Sequence, residues 1–141
     1  MKIKDLMAVD VAAIDPDASL EEAAALMDAS RTGVLPIVEN SRVVGIVTDR
    51  DIVVRALAKG LAPDDTAVGD IMTYELVSCS EDEDTQAAEE LMARHGVRRV
   101  VVLDADGGLK GLVSRGWLAS RAPHAAALLE ETSRPLVYTS H

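Results

Sequence analysis

The chain has 141 residues, 48% of them hydrophobic, and 24 acidic against 14 basic side chains give a net charge of −10. This length allows one sizeable core but not two large independent domains, and the acidic balance argues against nucleic acid as a partner. With one cysteine and no apolar signal core or membrane-length segment, the sequence predicts a soluble cytoplasmic protein without an internal disulfide.

The first half starts with a short predicted strand at 11–14, followed by a helix. Ser19 and Glu22 have the spacing of a helix capping box, in which each side chain satisfies the other residue's backbone N–H. The apolar residues expected on one face of this helix are Leu20, Ala23, Ala24 and Met27.

Two strands and a second helix complete the first half. The strands are predicted at 34–39 and 43–48, with turn residues between them, so they form a hairpin. A helix is predicted from Asp49, with Gly60 as its C-terminal stop. The residues expected on its apolar face are Ile52, Val53, Ala56 and Leu57.

The second half repeats this order of elements. The predicted strands lie at 76–79, 98–104 and 109–114, and the predicted helices lie at 84–95 and from Arg115 onward. Met72 follows Met7 by 65 positions, and Gly111 follows Gly45 by 66, so the second hairpin turn contains one extra residue. Repeats of this length usually bury their apolar faces against another copy.

Two segments carry a resemblance to a known family. The first reads VLPIVENSRVVGIVTDRDI, and the second reads VRRVVVLDADGGLKGLVSRGWL. Together with the repeat length and element order, they resemble a tandem pair of CBS domains, the regulatory module named after cystathionine β-synthase. The chain is also similar to free-standing bacterial CBS pairs of the hypoxic-response type.

The resemblance implies an α/β fold, also described as α+β. Each repeat is expected to run strand, helix, strand, strand, helix, and the two repeats are expected to pack sheet to sheet around a pseudo-two-fold axis. The expected boundaries are repeat 1 at 1–59, a linker at 60–69, repeat 2 at 70–122, and a C-terminal helix with a mobile tail at 123–141.

Thr48 and Asp51 are the main candidate site residues. A carboxylate beside a helix start can accept hydrogen bonds from both hydroxyls of a ribose, and free backbone N–H groups suit a phosphate. The resemblance implies an adenosine-type ligand in the cleft between the repeats, which the second repeat completes with Thr73, Leu76, Val77 and Val97. The alternative is that Thr48 and Asp51 only cap the helix.

A second, weaker cleft is expected around Arg99, Ser114 and Trp117. Trp117 stands where the family usually has the ribose-binding acid, and losing a charge-assisted contact lowers affinity roughly tenfold or more. Trp117 is interpreted as a hydrophobic plug or a dimer contact rather than a ring that stacks on a base.

No catalytic constellation or metal-ligand motif is recognisable, so the sequence predicts no enzyme, no metal and no required cofactor. The favoured hypothesis is a sensor whose ligand is AMP, ADP, ATP, S-adenosylmethionine or NADH. The alternative is a ligand-free scaffold that recognises an unidentified protein target. In both cases the leftover apolar helix surface and the family resemblance predict a homodimer.

Overall fold

The computed structural model describes residues 1–121, so the helix and tail predicted at 123–141 lie outside the described residues. These residues form two compact units. The first-repeat unit is Val11–Leu76, and the second-repeat unit joins Met1–Asp10 to the described residues from Val77 onward. Each unit has its own cluster of buried aliphatic side chains.

The first-repeat unit contains one hairpin and three helical segments. Helix α1 is Leu20–Ser30, strand β1 is Val34–Glu39, strand β2 is Arg42–Thr48, and a short helix α2 is Asp49–Asp51. A π-helix at Ile52–Ala56 and 3-10 turns at Leu57–Lys59 and Val68–Asp70 follow. The strand predicted at 11–14 is reduced to one bridge, in which Ile14 pairs in parallel with Ile37.

Local sequence explains how α1 begins. Ser19 Oγ accepts a hydrogen bond from the Glu22 N–H at 3.1 Å, and the Glu22 carboxylate accepts from the Ser19 N–H at 3.1 Å. The predicted capping box is therefore confirmed. Three of the four predicted core residues, Leu20, Ala23 and Met27, are buried. The prediction for the fourth residue, Ala24, was wrong, because Ala24 faces solvent and Leu26 packs against the core instead.

The helix after β2 does not bury the predicted face. Ala56 is buried and Ile52 packs against the core, but Val53 and Leu57 are exposed. The predicted face assumed α-helical spacing, whereas Ile52–Ala56 is a π-helix, in which the wider turn changes the residues that point inward. Gly60 does end this segment in the left-handed conformation, with φ at 73°.

The second-repeat unit has the predicted order of elements. Strand β3 is Ser78–Ser80, helix α3 is Thr85–His95, strand β4 is Arg99–Leu103, strand β5 is Leu109–Ser114, and helix α4 is Arg115–Arg121. In its sheet, β4 lies between β3, which is parallel to it, and β5, which is antiparallel. The protein is thus of the mixed α/β class, and its described residues form two small sheets.

The two hairpin turns show where the extra residue lies. Asn40 and Ser41 alone join β1 to β2, and both have positive φ, as a two-residue hairpin turn of this hand requires. The turn between β4 and β5 is longer, and the Asp104 carboxylate accepts from the N–H groups of Asp106 and Gly108. The extra residue of the second repeat therefore lies in this turn.

Each unit adds a distant segment to its hairpin. Thr73 exchanges two backbone hydrogen bonds with Ile46 on β2, at 2.8 and 3.1 Å. At the matching register in the other unit, Ala8 exchanges two with Leu112 on β5, both at 3.0 Å. The opening segment Met1–Asp10 thus packs with the second repeat rather than the first. The units divide at 10/11 and 76/77, while the repeat boundaries at 1–59, 60–69 and 70–122 stay a prediction.

Candidate functional site

The Thr48–Asp51 corner lies where β2 ends and α2 begins. Thr48 Oγ1 accepts from the Asp51 N–H at 3.1 Å, and Asp51 Oδ2 accepts from the Thr48 N–H at 3.0 Å. Both residues are buried, with 6% of their surface exposed. The pair is a reciprocal capping box, so the expected structural role is present. A capping role leaves the carboxylate with further acceptor positions, because two oxygens offer about four.

Thr73 occupies part of that remaining capacity. Its hydroxyl lies 3.3 Å from Asp51 Oδ2 and 3.5 Å from Oδ1. The backbone pairing of Thr73 with Ile46 holds this hydroxyl next to the carboxylate. Thr73 was predicted to face Thr48 and Asp51 from the second repeat, and its role in ligand binding stays a prediction. In the structure, Thr73 belongs to the first-repeat unit, because its segment extends the hairpin of that unit.

Arg55 is a member of this corner that the sequence analysis missed. Its Nε lies 3.6 Å from Asp51 Oδ1, one helical turn away, and 47% of its side chain is exposed. Its Nη1 donates to Thr73 Oγ1 at 3.2 Å and to the carbonyl oxygens of Ile71 and Met72 at 3.1 and 3.2 Å. The four-residue spacing between acid and base was a usable signal, but the carbonyl contacts come from a distant segment.

The side chains of Asp51, Arg55 and Thr73 form a connected polar network within one unit, and the Thr48 hydroxyl joins it through the Asp51 backbone N–H. The Thr73 hydroxyl can donate to the Asp51 carboxylate while it accepts from the Arg55 guanidinium. A ligand with two adjacent hydroxyls can replace the Thr73 contact, since a carboxylate accepts two parallel hydrogen bonds. Because Arg55 is the exposed member, it is the group that a ligand meets first from solvent.

The other residues predicted for this site make different contacts. Leu76 is half-buried at the end of the first-repeat unit. Val77 and Val97 belong to the second-repeat unit and pack against its core, and the Val77 carbonyl accepts from the Val101 N–H. None of the three takes part in the polar network, and their role in ligand binding stays a prediction.

The Ser114 corner is the counterpart of the Thr48–Asp51 corner in the second-repeat unit. Ser114 Oγ accepts from the Trp117 N–H at 3.1 Å, just as Thr48 accepts from Asp51. The Trp117 indole N–H donates to the Leu6 carbonyl, and the ring packs against the core of the unit. Arg99 pairs with Ser114 across the sheet. The indole is therefore engaged with protein groups.

A family model for the CBS domain matches this chain twice, over residues 3–57 and 68–116. The chain belongs to the CBS domain family.

Individual relatives agree with this assignment. The CBS domain-containing protein YhcV of Bacillus subtilis is 38% identical over 117 residues, which cover 83% of this chain and 82% of YhcV. Hypoxic response protein 1 of Mycobacterium tuberculosis is 32% identical over 124 residues, or 87% of this chain and 86% of the relative. The resemblance to the hypoxic-response type is confirmed, and the chain is a CBS pair of the regulatory kind.

Solved structures support the same fold. The crystal structure of Hypoxic Response Protein I with two coordinated zinc ions has a TM-score of 0.78 at 31% identity, covering 87% of this chain and all of that one. The CBS pair of protein MJ0100, in complex with 5′-methylthioadenosine and S-adenosyl-L-methionine, has a TM-score of 0.75 at 26% identity, covering 85% and 98%.

Over residues 1–121 of this CBS pair, no group of three or more His, Cys, Asp or Glu side chains is placed to hold a metal ion. Among the same residues, no helix has both the length and the apolar character needed to cross a membrane.

The single cysteine of the CBS pair is expected to be unreactive. Burial raises the pKa of the Cys79 thiol to about 12, and the Glu83 carboxylate acts in the same direction. At pH 8 only about one thiol in ten thousand is then ionised, against roughly a quarter of free cysteine. We expect alkylation by iodoacetamide at pH 8 to be at least about a thousandfold slower than for free cysteine, with the denatured chain as the control.

The raised pKa of Cys79 also determines how the stability of the protein changes with pH. The unfolded thiol loses its proton near pH 9, whereas the folded thiol keeps it until about pH 12. Between pH 9 and pH 12, ionisation of the thiol therefore stabilises only the unfolded chain. The contribution of Cys79 to the free energy of unfolding falls as the pH rises through this range. Rapid alkylation of the native protein at pH 8 would contradict both expectations.

Proposed function

We propose that this CBS pair is a regulatory sensor without catalysis of its own, and that it binds an adenosine-type ligand at the Thr48–Asp51 corner. The observation that carries the proposal is the buried Asp51 carboxylate, which accepts from the Thr48 backbone N–H and from the Thr73 hydroxyl. A rigid acceptor of this kind suits the two hydroxyls of a ribose.

The chemistry of known complexes supports this ligand class. The MJ0100 pair was solved with 5′-methylthioadenosine and S-adenosyl-L-methionine, and each compound carries an adenine and a ribose with two adjacent hydroxyls. AMP, ADP, ATP and NADH share these groups. Binding is proposed to act by favouring one arrangement of the protein over another.

A thermal-shift panel with AMP, ADP, ATP, S-adenosylmethionine and NADH tests the proposal. A ligand at 100 times its dissociation constant adds about 2.7 kcal/mol to the free energy of unfolding, which raises the melting temperature by several degrees. We expect such a rise with at least one compound for the wild type. In Asp51→Ala the ligand-induced rise should be absent, measured against the ligand-free melting temperature of that variant.

The matched control is Asp49→Ala. Asp49 lies in the same short helix, and its carboxylate accepts from the Arg50 N–H, in an exposed setting outside the polar network. This change removes the same charge and should keep the ligand-induced rise. No rise with any compound, or an equal rise in Asp51→Ala, would contradict the proposal and favour the ligand-free scaffold.

We also propose that the protein is a homodimer. Four apolar side chains on and after the π-helix are exposed, between 40% and 64%: Val53, Val54, Leu57 and Leu61. Covering them with the same surface of a second copy removes apolar area from water. Sedimentation velocity at micromolar concentration should show a dimer, and Leu57→Glu should shift it towards monomer. A monomeric wild type would exclude this arrangement.

A further inference from the structure

In the two repeats, backbone carbonyls at equivalent positions accept hydrogen bonds from different side chains. Ile71 and Leu6 occupy matching positions, 65 residues apart. In the first-repeat unit, the Arg55 guanidinium donates to the Ile71 carbonyl, and Arg55 in turn lies next to Asp51. In the second-repeat unit, the Trp117 indole donates to the Leu6 carbonyl.

Trp117 also occupies the register position of the acid. It follows Asp51 by 66 residues, and Ser114 follows Thr48 by the same number. The backbone hydrogen bond of the corner is kept, because the Trp117 N–H donates to Ser114 as the Asp51 N–H donates to Thr48. The local backbone of the two corners is therefore alike, and the difference between them lies in one side chain.

That side chain cannot perform the chemistry of the acid. An indole N–H is a donor only, so it accepts no hydrogen bond from a ribose hydroxyl. The ring is half-buried against the core of the second-repeat unit, and its N–H is already bonded. A sugar that entered the Ser114 corner would have to break this bond and expose apolar ring surface, without a carboxylate in return.

We infer that Trp117 closes the Ser114 corner, so that each chain binds one adenosine-type ligand, at Asp51, although the fold contains two equivalent corners. This inference rests on the proposed function. It makes Trp117 the residue that sets the number of ligands bound per chain, and it predicts that an acid at position 117 opens a second site.

Titration calorimetry with AMP, ADP, ATP, S-adenosylmethionine and NADH, one compound at a time, tests the inference by counting bound ligand. We expect one ligand per chain for the wild type and none for Asp51→Ala. Trp117→Asp should bind two, and the double variant Asp51→Ala/Trp117→Asp should bind one. The control Trp117→Phe keeps an aromatic ring without supplying an acceptor, and should bind one.

The outcomes separate the inference from the proposed function. No heat from the wild type with any of these five compounds overturns the proposed function, and the inference is overturned with it. Two ligands per wild-type chain, one of which is still bound in Asp51→Ala, overturn the inference alone. So does a folded Trp117→Asp that binds only one ligand, with folding checked by circular dichroism.

A second measurement covers the case in which Trp117→Asp does not fold. Trp117 is the only tryptophan, so its fluorescence reports on the Ser114 corner directly. We expect AMP to leave the emission of Asp51→Ala unchanged and acrylamide to quench it weakly. Saturable quenching by AMP in Asp51→Ala would show adenine on the indole and would overturn the inference.

Discussion

Replacing Leu35 by alanine is expected to lower the free energy of unfolding by about 2–5 kcal/mol. Leu35, the second residue of β1, is fully buried, pairs with Val47 and belongs to the core cluster of the first-repeat unit. Removing its side chain takes away apolar contacts and leaves a cavity that a close-packed strand cannot collapse to fill. Urea denaturation followed by circular dichroism measures the loss.

Val38 provides the control in the same strand. Its side chain is only half-buried, three residues further along β1. Val38→Ala removes less buried surface, so its effect should be clearly smaller than that of Leu35→Ala. If the two variants were equally stable, burial of the Leu35 side chain would not explain its contribution to stability.

Replacing Gly111 by alanine is expected to loosen the opening segment from β5 and to lower stability by about 1–3 kcal/mol. A Cβ at this position would lie 2.6 Å from the Ala8 carbonyl oxygen and 2.9 Å from Met7 Sδ. The first of these is a backbone atom that also takes part in the pairing of Ala8 with Leu112. The segment must therefore move away, because its backbone cannot rotate aside as a side chain can.

Hydrogen exchange of the amides in Met1–Asp10 is the direct measurement, and we expect it to become faster in Gly111→Ala. Gly116→Ala is the matched control, since within residues 1–121, apart from its chain neighbours and the nearby backbone of α4, no atom lies within 4 Å of its Cβ position. There the same change should stabilise the protein by up to about 1 kcal/mol, because alanine is the better helix former. Equal effects of the two substitutions would contradict the steric explanation.

Strands and caps were predictable because their signals are local. The sequence predicts β1 at 34–39 and β5 at 109–114, and both strands have these bounds in the structure. A helix end precedes β1 and a turn follows it, whereas a turn precedes β5 and a helix start follows it. The capping boxes at Ser19 and Thr48 were recognisable for the same reason, since a hydroxyl and an acid three positions apart suffice.

Features that depend on distant segments were not predictable from these patterns. The strand expected at 11–14 keeps only the bridge of Ile14 to Ile37 on β1. The role of Arg55 depends on carbonyl groups at Ile71 and Met72, which are brought to it by the pairing of Thr73 with β2. No pattern within one helix reveals such contacts.

The division of the chain between the two units has a consequence for synthesis on the ribosome. All of the first-repeat unit, Val11–Leu76, is one continuous stretch, so it can fold as soon as it leaves the exit tunnel. The opening segment emerges before it but must wait for β5, because Ala8 pairs with Leu112. The second-repeat unit thus contains the longest loop to close, and it is the later of the two to form during translation.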